Sequence, residues 1–396
     1  MRSDLVEKSM LAVVETDQEA TANRISVRTT LSWLWWKFSN LAHTVFGVVS
    51  LVFLLSVLAT LPILQFLSLG YFLEASARVA RSKRIRSGII GINEAARVGS
   101  IAIGTFLSLL PLKLFSSLWY SSYLLNGDAP ENQRLRVLVV LLGFATLLHV
   151  GWAVYRGGKF RHFMWPAPLR LWRTFRAGGM YHHASHALAN FVGKLRLPYY
   201  FGLGLRGFIG ASIWLFIPIS LMAAATSAED PGFGGLVAVV GGLLLAWVLT
   251  YLPFLQIRLP LTGRFRSQFE LRSVRHDFAC APIAYWFSFL MTLALAVPLY
   301  VLKAELVPRE AAWLPSVFFV MFMFPARLVV GWSVGRSERR ETSRHWFFRW
   351  FARLGMIPIA LIYALIVYFT QFTSWYGSWS LYEQHAFLVP VPFLGF

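Results

Sequence analysis

The sequence predicts an all-α membrane protein of about eight transmembrane helices, in two tandem, parallel-oriented four-helix repeats with amphipathic helices on the cytoplasmic side. Three observations lead there. Hydrophobic residues make up 57% of the chain and charged residues only 14%, against roughly 25% charged in a soluble domain. The apolar residues fall in unbroken runs near the roughly 20 residues that cross a hydrocarbon core about 30 Å thick. Lys and Arg then gather in every second connection between those runs.

The runs are 42–66, 100–122, 135–155, 206–226, 233–257, 281–302, 312–335 and 355–372, and all 18 acidic residues lie outside them. They do not alternate as membrane strands must, and helices are the other way to satisfy the backbone in lipid. Residues 1–40 hold five bases and five acids with no compact apolar stretch before a small-residue cleavage site, so they read as a tail, not a cleaved leader. Its "LSWLWWKF" (31–38) is expected at headgroup level, where tryptophan concentrates. Residues 63–77, "ILQFLSLGYFLEASA", leave an alternative open. As a re-entrant or ninth segment they would move the N-terminus inside.

Charge sets the orientation. The connections 72–99, 156–206, 258–280 and 336–353 carry 26 bases against 6 acids, whereas the others and the tail carry 4 bases against 7 acids. Basic loops stay cytoplasmic, so both termini are expected outside, in a bacterial cytoplasmic membrane. The tail after residue 373 has no Lys or Arg, which agrees.

Two phrases recur. "GWAVYRGG" (151–158) closes the third run and "GWSVGRSE" (331–338) the seventh; "LPILQF" (61–66) closes the first and "LPFLQI" (252–257) the fifth. Pro111 and Pro298 break the second and sixth. The expected layout is a tail (1–40), a first repeat (41–226), a second repeat (232–375) and a non-basic extracytoplasmic tail (376–396). An even number of spans per copy makes the repeat parallel.

Two basic, aromatic segments flank spans. In 166–176, Leu169, Trp172 and Phe175 form one stripe beside Arg170, Arg173 and Arg176; in 343–355, Arg344, Arg349 and Arg353 surround Trp346, Phe347 and Trp350. This is the pattern of helices lying in the interface with guanidinium groups among anionic headgroups. Such interleaving also suits single-stranded nucleic acid, but beside membrane spans lipid is the simpler partner, and no nucleic acid is expected.

Chemistry has little support. His182 and His186 stand one helical turn apart, a metal-ligand spacing, yet 156–206 supplies no Cys, Asp or Glu to complete a site. Lys113, His149 and Arg327 lie inside runs, where ionisable groups are suspect as functional. They are the candidates for a polar path, although Lys113 and Arg327 are also within snorkelling reach of an interface. Glu74, Glu94, Glu270, Asp277, Glu338 and Glu341 sit among arginines and read as local ion-pair partners. A single cysteine, Cys280, excludes an intrachain disulfide. The zincin, nucleophile-elbow and P-loop patterns are missing. No catalytic residue and no cofactor is expected.

The stretches "LPILQFLSLGYFLEASARVARSKRIR" (61–86), "RLPYYFGLGLRGFIGASIW" (196–214) and "WSLYEQHAFLVPVPFLG" (379–395) resemble a group of uncharacterised bacterial multi-pass membrane proteins with a GY-x-L element after the first span. The resemblance implies the membrane class and transfers no activity. The expected function is a non-enzymatic component that organises lipid or partner proteins through its cytoplasmic face. The alternatives are a facilitator or transporter for an anionic or lipidic solute and, third, an enzyme acting on lipid headgroups.

Overall fold

The computed structural model describes residues 33, 35–61, 63–125, 127, 129–301, 314–372 and 377–383. Among these every regular element is helical, and eight helices are long and apolar enough to cross a membrane. The chain therefore has the organisation of a multi-pass membrane protein. The spans are α1 (Trp35–Thr60), α3 (Ile92–Leu125), α4 (Pro130–Tyr155), α7 with α8 (Met180–Leu195 and Leu197–Ala225), α9 (Pro231–Thr262), α11 (Pro282–Val301), α12 (Leu314–Ser337) and α13 (Trp346–Thr370). Shorter elements are α2 (Gln65–Ser82), α5 (Phe160–Met164), α6 (Pro168–Ala177), α10 (Leu271–Cys280) and α14 (Ser380–Glu383).

The first apolar run is not one helix. The Leu-Pro step at 61–62 removes a backbone donor, and Ile63 takes a left-handed conformation (φ 69°). The chain folds back there: Ser68 Oγ donates to Leu55 O at 2.9 Å. Segment 63–77 thus belongs to a separate helix, α2, and "LPILQF" straddles a turn while "LPFLQI" lies within α9. Residues 35–38 continue into α1 instead of forming a separate anchor, and residues 346–355 are the first turns of α13, not a separate surface helix.

α2 is the centre of the bundle. It buries 13 of its 18 residues, and two neighbours approach its backbone through glycines. Where α8 crosses it, a Cβ on Gly70 would stand 1.8 Å from Tyr200 O, and one on Gly204 would stand 1.9 Å from Phe66 O. On the α12 side, a Cβ on Gly331 would lie 2.2 Å from Ser76 O and one on Gly335 2.7 Å from Ala80 O. Helices this close need small residues, the usual packing device where lipid removes any hydrophobic drive between helices. Phe72 fills the remaining space, stacking on Phe324 at 5.8 Å.

Contacts fix the helix directions. Gly47 faces Ile92 and Gly99 faces Ser50, so α3 runs with α1. α8 runs against α2, and α9 against α8 through Gly234–Ala225 and Gly241–Met222. α12 runs with α2; it runs against α11, where Ser288 Oγ donates to Ser333 Oγ at 3.1 Å. With α2 counted between α1 and α3, the helices therefore alternate in direction along the chain, and the ends of α2, α4, α9 and α12 point to one end of the bundle. The N-terminal end of α1 points there too. α14 packs at the opposite end, with Tyr382 OH donating to Ser220 Oγ at 3.0 Å. One continuous core joins both halves of the chain.

α2 and α9 break off in the same way. Lys83 (φ 60°) and Gly263 (φ 72°) are left-handed caps donating to Val79 O and Leu259 O, each at 2.8 Å. The next arginines, Arg84 and Arg264, donate N–H to Ser82 Oγ and Thr262 Oγ1, each at 3.3 Å. A 3-10 turn follows in both, closed by Ser87 and Ser267 hydroxyls on the Arg84 and Arg264 carbonyls at 2.6 Å.

Candidate functional site

The end of the bundle where α2, α9 and α12 finish is where charge collects. Glu74 on α2 is buried, 4% exposed. Its Oε1 accepts from Arg78 Nε (3.2 Å) and Arg81 Nη1 (3.4 Å), and its Oε2 accepts from Tyr199 OH (2.8 Å). Arg81 also donates to Pro260 O, tying α2 to α9. Arg258 on α9 bridges Asp277 (3.1 Å) and Glu270 (3.4 Å), which holds α10 across the end of the bundle. Arg344 N donates to Ala279 O at 2.9 Å and Arg339 Nη2 to Lys83 O at 3.4 Å, drawing in the segment after α12.

Burial dominates two carboxyls of this end, Asp277 and Glu338. Asp277 is pushed above the usual carboxylate range by desolvation, against the pull of Arg258. Glu338 is raised by burial and by the nearby Asp277, with Lys83 opposing. The Cys280 thiol is likewise raised by its surroundings, first by burial and then by Asp277; a raised thiol is a poor nucleophile.

Two clefts open beside this cluster. The first, about 350 Å³, lies between α9, α10 and α13; Trp247, Met356 and Leu361 line its apolar wall and Arg275 and Arg353 share its lining. Each guanidinium sits over an aromatic ring, Arg275 on Tyr251 at 5.8 Å and Arg353 on Phe278 at 5.6 Å. The second, about 400 Å³, lies at the start of α11, between Trp286, Phe287 and Trp332, with Arg336, Arg340 and Arg344 around it.

Of the residues singled out from sequence, Arg353 enters the first cleft and Arg344 the second. Arg349 is half-buried on α13 and lines neither. Arg170, Arg173 and Arg176 stand exposed on α6, a ten-residue helix with no buried residue. His182 and His186 stack at 4.5 Å on exposed α7. No group of three metal-ligating side chains exists among the described residues.

The polar-path candidates are not brought together. Lys113 is exposed on α3, and His149 Nε2 is 2.8 Å from Phe163 O, holding α5 against α4. Arg327 is buried at 2% exposure in α12, whose main packing partners are α2 and α11, not α3 or α4. Sequence reasoning missed Arg275, Arg336 and Arg340 as cleft residues. The signal for Arg275 was present: in "LRSVRHDF" it follows Val274 and precedes Phe278 by three positions, the two buried apolar residues of an amphipathic turn.

Comparison with protein-family models, with curated proteins and with solved structures finds no match. No activity or site residue comes to this chain from a relative.

Proposed function

We propose that this is an integral membrane protein that binds and organises anionic lipid at its basic end. The observation that carries the reading is the pair of aromatic-lined clefts, each with two or three guanidinium groups beside an apolar wall. An apolar body for chains and a fixed cation for a phosphate are what a lipid offers partners for, and each base near an anionic leaflet contributes on the order of 1 kcal/mol. Exposed α6 adds three arginines beside Leu169, Trp172 and Phe175, and would lie along the same leaflet. The solute-path alternative draws less support, because Lys113 and His149 stand on helices that do not chiefly pack on α12. In nanodiscs, phosphatidylglycerol is expected to raise the melting temperature above that in phosphatidylcholine alone. Equal melting in the two would refute the reading.

The layout behind this function is a duplication in one register. One set of matches lies 180 positions apart: Tyr71 and Tyr251, Arg78 and Arg258, Arg84 and Arg264, Ser87 and Ser267, Phe144 and Phe324, then Gly151-Trp152 and Gly331-Trp332. The matching left-handed caps and 3-10 turns after α2 and α9 support it. In that register α2, α3 and α4 match α9, α11 and α12, with α1 preceding both, while α13 falls opposite α6 and α7. α9 and α12 run in the same sense as α2, so the copies are parallel. With the basic end cytoplasmic, this arrangement puts the N-terminus inside and the C-terminus outside, in place of the hydropathy expectation of two external termini.

A further inference from the structure

The cleft between α9, α10 and α13 has a direction. On α9 its lining runs from Tyr251 back to Leu243, and on α13 from Arg353 forward to Leu361. Eight residues of helix are about 12 Å, so the cleft extends roughly that far along the helix axes. Its charged end lies toward the basic end of the bundle, since α9 finishes there and α13 starts there. Its apolar end points to the middle of the span. It also opens sideways, because Trp247, Ile357 and Leu361 remain 42%, 52% and 39% exposed. Nothing else in the described chain covers it.

We infer that this cleft is a site for one anionic phospholipid, its phosphate between Arg275 and Arg353 and one acyl chain along the wall formed by Trp247, Met356 and Leu361. A lipid in a bilayer has that same polarity, with charge at the interface and hydrocarbon toward the midplane. The two guanidiniums are preset by Tyr251 and Phe278, so ordering them costs little on binding. Arg275 comes from α10 and Arg353 from α13, two elements that the Arg258 bridge and the α9 contacts hold together. A phosphate between them would link the elements further.

The inference rests on the lipid-binding reading above, and its test separates the two. Full-length protein in phosphatidylcholine nanodiscs is titrated with phosphatidylglycerol, followed by melting temperature and by native mass spectrometry of retained lipid. The wild type is expected to retain one more phosphatidylglycerol per chain than R275Q/R353Q, whatever the second cleft holds. R275Q/R353Q is expected to bind it roughly thirty-fold more weakly, two bases at the value usual near an anionic surface. T250F, which narrows the cleft and keeps both charges, is expected to lose the retained lipid too. R275K/R353K keeps the charges and is expected to recover most of the binding, so a misfolded glutamine variant would not leave the question open. If phosphatidylglycerol stabilises the wild type but R275Q/R353Q and T250F retain it equally well, this cleft is not the site while the general reading stands. If phosphatidylglycerol stabilises neither wild type nor variants, both fall.

Discussion

The hairpins α3–α4 and α11–α12 each carry a Gly-Trp pair in their second helix and differ in surroundings. The most apolar windows of α3 and α4 are each only 11% buried, whereas those of α11 and α12 are 44% and 61% buried. Both second helices end in Gly-Trp. At Gly331 a Cβ would meet Ser76 O at 2.2 Å, but at Gly151 it would meet nothing within 4 Å. Mean hydropathy does not tell the two apart, because lipid tails and protein interiors are equally apolar. What separates them is small and polar residues turned inward. Ser288, Thr292, Ser316, Ser333, Ser337 and Arg327 are all buried in the inner hairpin, and their hydroxyls close onto carbonyls one turn back or onto each other. The α3–α4 hairpin lies at the edge, whereas α12 of the other packs against α2.

That difference is open to direct attack. Gly331→Val forces the α12 and α2 backbones apart and is expected to cost about 3 kcal/mol or more, seen as loss of the monodisperse folded protein in detergent. Gly151→Val, in the other Gly-Trp pair, is expected to melt like the wild type, and equal damage from both would erase the contrast. Next comes Arg327→Ala against Lys113→Ala. Emptying a fully enclosed site of its largest side chain is expected to cost about 2–5 kcal/mol, while the exposed lysine should change melting by less than about 0.5 kcal/mol.

The smallest effect concerns pH. Burial raises both Asp277 and Glu338, so the folded chain favours their protonated forms. Their contribution to stability is complete below the ordinary carboxylate range near 4 and is lost as pH rises through the raised folded values. A plot of melting temperature against pH is expected to fall less steeply in D277N/E338Q than in the wild type; parallel plots would remove these two groups from the account.

The spans were legible because hydrocarbon length is a hard constraint on any crossing helix. α2 was legible only as the alternative left open for 63–77, because Glu74, Arg78 and Arg81 give it the look of a loop; the fold supplies Tyr199 OH to donate to Glu74 and Pro260 O to accept from Arg81. The 61–66 and 252–257 phrases match in sequence but not in structure, since one turns a corner and the other stays helical. Two of the five cleft arginines, Arg344 and Arg353, stood out from their aromatic neighbours in sequence. Arg275 did not, although Val274 and Phe278 mark its turn, because the ring beneath it, Tyr251, comes from another helix.

Helix direction underlies the repeat, the basic end and the lipid site together, so the side on which each end emerges is the most direct test. Reporters fused at the N-terminus, inserted in 156–206 and fused at the C-terminus should place the first two on the cytoplasmic side and the third outside. Finding the N-terminal reporter outside together with the C-terminal one would contradict the alternating bundle.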